Sequence, residues 1–174
     1  SRPESGHPVQ SPTARPGRRG TRGVAGLALG EKIHDAFIVP RFRAVKSEAG
    51  WYSGVPDGVQ EMYLPVGTAA DAPRIHAWWW ADANPDAPAV LYLHGARWNL
   101  TGQLFRIEQL RAAGYSVLAI DYRGFGQSKG DLPSESSVYE DARVAWERFK
   151  LLQPDPSKRL IYGHSLGGAV AIDL

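Results

Sequence analysis

No cysteine occurs anywhere in the 174 residues. Disulfides and thiolate metal sites are therefore excluded, while the redox compartment stays undetermined. A membrane-length apolar run is missing too. Val24-Ala-Gly-Leu-Ala-Leu29 is too short to cross a bilayer or to act as a secretory h-region. It reads as part of the tail or as the stump of an anchor beginning further upstream. The compartment stays open, with the cytoplasm the simpler reading. No group of histidines and carboxylates has metal-ligand spacing, so neither a metal nor another cofactor is expected. An excess of positive charge is also missing where it would matter. Residues 1–30 hold Arg2, Arg15, Arg18, Arg19 and Arg22 against Glu4, a net of +4. The other 144 residues carry 15 basic and 17 acidic groups, a net of −2. The overall pI near 9.0 belongs to the tail, and a nucleic-acid partner is excluded.

What is present divides the chain in three. Residues 1–30 are a basic tail rich in Pro, Gly and Arg, expected to be disordered because it has too little apolar surface to offset its ordering entropy. Its prolines forbid the amphipathic helix of a transit peptide. Residues 31–54 are an apolar lead-in. Residues 55–174 hold strand and helix patterns. Val59–Val66 reads as an edge strand with Pro65 near its end, and Arg74–Trp80 as a second strand with tryptophans on both faces. Ala89–Leu93, Tyr115–Ile120 and Leu160–Tyr162 read as buried strands. Between them, Leu100, Leu104, Ile107 and Leu110 recur at helical spacing, with Gly114 placed to close the helix. Ser137-x-x-Glu140 reads as the capping box of a second helix with the stripe Val138, Ala142, Ala145, Phe149 and Leu152. The alternation predicts an α/β protein, a mostly parallel sheet with helices on both faces and ligands beyond the strand C-termini.

Three of those C-termini carry chemistry. Gly163-His164-Ser165-Leu166-Gly167 follows a strand and opens the small-residue helix Gly168–Ile172. A serine on such a turn is strained and projects its hydroxyl above the sheet, which makes Ser165 the candidate nucleophile. Gly163 and Gly167 are required because a Cβ at either would clash. Acyl transfer needs two N–H donors aimed at the developing oxyanion, each worth about 3–4 kcal/mol. Leu166 N–H is one candidate. Ala96 N–H, in the loop His94-Gly95-Ala96-Arg97-Trp98, is the other, with Gly95 allowing close approach and His94 supporting the loop. The third loop, Asp121-Tyr-Arg-Gly-Phe-Gly-Gln-Ser128, could cradle a phosphate in principle. No helix begins there and Asp121 would repel an anion, so Asp121 and Arg123 are expected to brace the loops instead. His164 adjoins Ser165 on a sharp turn, and its ring should point away from the hydroxyl. His76 is read as an ordinary strand side chain.

Together, Leu93-His-Gly-Ala96, Asp121–Gly130 and Gly163–Gly168 resemble an α/β-hydrolase-fold serine hydrolase of the serine-aminopeptidase-like and monoacylglycerol-lipase-like branch. The resemblance covers about residues 55–174. It implies esterase or lipase chemistry through an acyl-enzyme on a small ester or acyl substrate. It also implies an acid and then a histidine after later strands, which places both, and any cap, beyond residue 174. The serine argues against the dehalogenase and epoxide-hydrolase branches, which use aspartate there. The Ala-Arg after His94-Gly95 weakens a hormone-sensitive-lipase-like assignment. Arg97 and Trp98 are candidates for the acyl pocket. A chain that starts at Ser1 and stops nine residues after Ser165 is expected to be a piece of a longer protein, truncated after the elbow and inactive alone. An aminopeptidase or amidase of the same fold, and a non-catalytic hydrolase-like module, stay open, as does the oligomeric state.

Overall fold

The computed structural model describes residues 54–174 apart from Trp98 and Leu132. The expectations for residues 1–53, and that for Trp98, lie outside the described residues. Five strands form one sheet in the order β1-β2-β4-β3-β5: β1 Gln60–Pro65, β2 Arg74–Trp80, β3 Ala89–Leu93, β4 Ser116–Ile120 and β5 Arg159–Gly163. Three helices accompany them, α1 Leu100–Ala112, α2 Glu135–Leu152 and α3 Leu166–Asp173. Parallel pairing holds for β4–β3–β5, whereas β2 runs antiparallel to both β1 and β4. The sheet is therefore mixed, for a simple reason. Only short loops join β1 to β2 and β2 to β3, so each strand reverses direction. Parallel neighbours need the helix-length crossovers that α1 and α2 provide.

Strand alternation sorts the core into two layers. On one face Ile75, Ala77, Leu91, Leu93, Leu118 and Ile120 pack with Val138, Ala142, Ala145 and Phe149 of α2 and Val170 of α3. On the other, Trp78, Tyr92, Val117 and Ala119 pack with Leu100 and Ile107 of α1, and Leu104 and Leu110 flank them. The helices thus cover both faces, and the two apolar stripes read from spacing are the ones that pack. Trp78 and Trp80 serve the α1 layer and Trp79 the other, as the tryptophan run implies.

The ends of the helices follow local chemistry. Gly114, at φ 89°, closes α1: its N–H reaches Arg111 O at 2.9 Å and Tyr115 N–H reaches Leu110 O at 3.2 Å, the paired bonds of a glycine C-terminal motif. The start of α2 corrects the expected capping box. Ser134 is the N-cap and Ser137 is its third residue, each hydroxyl accepting the other's backbone N–H, at 2.8 and 3.1 Å. Ser137 therefore takes the role usually filled by Glu or Gln, and Glu140 is released to pair with Arg123.

One buried charge ties α2 to the sheet. Asp141 lies on the apolar stripe with no side-chain exposure. It accepts from Arg123 Nε at 2.6 Å and from the Arg123 backbone N–H at 2.7 Å. Burial pushes its carboxyl up to about 6 against the pull of Arg123. Removing one partner of such a pair leaves the other desolvated and unmatched. Arg123→Ala is expected to cost about 3 kcal/mol, read as a lower midpoint in denaturant unfolding. A loss below about 1 kcal/mol would show that solvent at the Arg123 side already satisfies Asp141.

Candidate active site

Register alone brings the site together. Leu93 pairs with Ile120 on one side and Gly163 on the other, so the next residues, His94, Asp121 and His164-Ser165, emerge at one sheet edge. The turn at Ser165 is tight because β5 must enter α3 at once. Ser165 adopts φ 56°, ψ −116°, the only positive φ at a non-glycine residue among the described residues. Such a conformation costs about 1–3 kcal/mol and persists only where its surroundings enforce it. They do so through the flanking glycines. A methyl group on Gly163 would overlap the Gly167 carbonyl, and one on Gly167 would overlap the Leu93 carbonyl. His164 N–H donates to Leu93 O at 3.0 Å, locking the turn to β3.

Ser165 is exposed and lines a cavity of about 280 Å³ with Gly95, Ala96, Arg97, Gln103, Arg106 and His164. A Cβ on Gly95 would approach Ser165 Cβ to 3.1 Å, so glycine lets the two loops close on each other. Leu166 is the first residue of α3, and its N–H has no intrahelical acceptor. The structure thus brings Ser165, Gly95, Ala96, Gly163, Leu166 and Gly167 to one place. His164 turns its Nε2 to Arg106 Nη2 at 3.4 Å. Arginine can only donate, so Nε2 is the acceptor in that contact, and Nδ1 is buried beside Gly95 with no hydrogen-bond partner among the described residues. No histidine among the described residues hydrogen-bonds the Ser165 hydroxyl.

Behind this surface lies a buried polar cluster that sequence reasoning saw only in part. His94 donates from Nδ1 to Gly95 O at 2.6 Å, and its Nε2 stands 3.1 Å from Asp121 Oδ1. Gly95 O and Ala96 N belong to the same peptide plane, so this bond sets the direction of Ala96 N–H. Across Asp121, His76 Nδ1 lies 3.8 Å from Oδ2, and His76 Nε2 is 2.6 Å from Glu61 Oε1. Ser128 Oγ donates to Asp121 O at 2.6 Å and accepts from His76 N–H at 2.8 Å, joining β2 to the end of β4. Gly126 is indispensable here, because a methyl group on it would overlap Asp121 Oδ2. Arg123 does not touch Asp121. It braces the same loop from the other side, through Asp141, Glu140 and the Ser137 carbonyl.

Sequence reasoning missed Glu61, Asp141 and the bridging part of His76. The signal for Asp141 was legible: a carboxylate on the buried stripe three residues after Val138. That for His76 was not, because β2 meets β4 only through a long-range pairing. Among the described residues no group of three or more histidines and carboxylates could hold a metal ion, and no helix is long and apolar enough to cross a membrane.

The serine aminopeptidase (S33) family model matches residues 84–174, which include the Ala96 loop, the Asp121 loop and the elbow. The chain belongs to this family. A lysophosphatidylserine lipase, ABHD12, of Danio rerio is 35% identical over 116 residues, 64% of this chain and 29% of the lipase. Among solved structures, a putative hydrolase from Agrobacterium vitis matches with TM-score 0.57 and 30% identity over 67% of this chain and 44% of that one. The Pyrococcus furiosus esterase PF2001 matches with TM-score 0.56 and 26% identity over 71% and 47%. The chain spans less than half the length of each of these relatives. Its fold is that of the α/β hydrolases.

The state of Asp121 can be tested by titration. Burial raises its carboxyl, but the imidazoles of His76 and His94 and the Leu100 N–H outweigh it and hold the group below its ordinary 3.8. A depressed carboxylate contributes stability that is present above 3.8 and lost as pH falls through the folded value. The melting temperature gap between the wild type and Asp121→Asn should therefore shrink as pH drops from 5 to about 2. A gap constant over that range would mean that the Asp121 charge contributes nothing.

Proposed function

We propose that the chain carries the nucleophile and oxyanion half of a serine hydrolase acting on carboxylic esters. The observation that carries this reading is the enforced φ of Ser165 at the start of α3. Nothing in folding requires a serine there, and the strain is maintained by two glycines that tolerate no side chain. The lipase and esterase among the relatives support an ester as substrate.

In this reading Ser165 Oγ attacks the ester carbonyl carbon and gives its proton to a base. The carbonyl oxygen, now negative, is received by Leu166 N–H and Ala96 N–H. Both donors are fixed before substrate arrives, so little reorganisation opposes the transition state. The C–O bond then breaks, the alcohol leaves with the proton, and water releases the acid from the acyl-serine by the same route in reverse. His164 is unsuited as the base, because its accepting nitrogen faces Arg106. The base, and the acid that orients it, come from outside the described residues. The family description names aminopeptidases, which keeps amide hydrolysis as a second reading.

Two experiments on the intact gene product test this. A fluorophosphonate probe should label Ser165 stoichiometrically, and Ser165→Ala should abolish labelling and lower 4-nitrophenyl ester turnover by about 10³-fold or more. Turnover surviving in Ser165→Ala would sink the reading, and faster cleavage of 4-nitroanilides than of esters would favour the amidase. His94→Leu removes the bond that orients Ala96 N–H. It should lower kcat about tenfold with KM little changed. A change in KM alone would show that His94 shapes only the pocket.

A further inference from the structure

We propose that the cavity beside Ser165 is an anion-recognition subsite, and that the ester it accepts carries a carboxylate or phosphate group. The proposal rests on the serine-hydrolase reading and adds a substrate class to it.

Arg97 and Arg106 both line this cavity, and no Asp or Glu is among the residues that do. Arginine is charged at every physiological pH, so two positive charges face the space above the nucleophile without a lining counter-charge. Three other arginines among the described residues, Arg111, Arg123 and Arg143, meet carboxylates. Arg111 meets Asp82 at 2.9 Å and Arg123 meets Asp141 at 2.6 Å. Arg106 instead donates to two neutral acceptors, Gln103 Oε1 at 3.3 Å and His164 Nε2 at 3.4 Å, and its guanidinium lies 4.4 Å from the Phe105 ring centroid.

These contacts hold the guanidinium in place without cancelling its charge. Gln103 is buried and fixed at both ends of its amide. Its Oε1 accepts from Tyr92 OH at 2.7 Å and its Nε2 donates to Arg97 O at 3.2 Å. Tyr92 stays neutral, its hydroxyl pushed up to about 12 by burial. One buried amide therefore positions Arg106 through its side chain and the Arg97 loop through its backbone. A guanidinium ordered in advance loses little entropy on gripping an oxyanion, and its fork suits a carboxylate or phosphate better than a point charge would. A neutral acyl chain gains none of this and must desolvate the guanidinium on entry.

The test compares matched esters on the intact gene product. On the acyl side, mono-4-nitrophenyl glutarate is set against 4-nitrophenyl pentanoate. On the alcohol side, 4-carboxyphenyl acetate is set against phenyl acetate. In at least one pair the anionic ester should have a kcat/KM about tenfold or more above its neutral partner. That ratio should fall toward one in Arg97→Gln/Arg106→Gln and in high salt, and Arg106→Lys should restore part of it. The pair that responds identifies which side of the scissile bond carries the anion. Ratios at or below one in both pairs, or ratios that the double variant leaves unchanged, overturn the proposal. If no ester is turned over and the fluorophosphonate fails to label, the hydrolase reading fails. The anion site is then judged by NMR titration with glutarate: a saturable shift of the Arg106 Nε–Hε resonance, absent with pentanol, keeps it, and no shift removes it.

Discussion

Gly167 lies against the backbone of Leu93 so closely that the space for a side chain does not exist. That approach is the constraint on which the rest of the site depends. It lets α3 start directly above β3, which forces the chain to turn sharply at Ser165 and fixes the φ of 56° there. It also brings the end of β5 next to the Gly95–Ala96 loop, since both strands flanking the turn are in register at Leu93 and Gly163. The strain at one residue is thus a consequence of packing between main chains. It cannot relax without separating a helix from a sheet, and close-packed interiors resist such shifts.

A second level of organisation is electrostatic. Two carboxylates are buried under the loops, and each has its own cationic or hydrogen-bonding partners. Asp141 holds Arg123 and so pins one side of the loop between β4 and α2. Asp121 faces His94 and His76 and so reaches β3 and β2. Removing these charges from water is costly, and a hydrophobic replacement would cost less stability. What the charges supply is direction. His94 can aim the Gly95–Ala96 peptide only if its ring is held in one orientation, and Tyr122 and Phe125 pack against that ring with Asp121 Oδ1 3.1 Å from Nε2.

Much of this could be read from residue order because its causes are local. Short continuous apolar runs mark β3 and β4, helical spacing marks the stripes of α1 and α2, and Gly114 marks the end of α1 through a φ that glycine favours. The elbow was legible for the same reason: Gly163, Ser165 and Gly167 state their geometric needs within five residues. The start of α2 was misplaced by a few residues, since two serines satisfy a cap that Ser137 and Glu140 seemed equally able to form. The antiparallel pairing of β2 follows from the short loops on either side of it, and the strand–helix rhythm marks the parallel part, β4–β3–β5. Glu61 and the bridging role of His76 are not legible for a different reason. Their partners lie 15 to 52 positions away, and a polar residue in a strand looks the same whether or not it meets one.

The two charge systems also explain why Arg106 keeps its charge. Asp121 and Asp141 are the buried acids near these loops; neither lines the cavity, and each is committed to partners of its own. Arg106 meets Gln103 and His164 instead, with Tyr92 holding Gln103, groups that can orient a guanidinium but carry no carboxylate charge. An arginine that served only to pack α1 would gain by meeting a carboxylate, as Arg111 does with Asp82 at the other end of the same helix. The helix therefore carries one arginine matched to a carboxylate and one left without one beside Ser165. In the free protein that charge is met by side-chain acceptors, an aromatic ring and solvent, not by a carboxylate. It finds an opposite charge only when an anion enters the cavity, which is where an enzyme gains most from placing it.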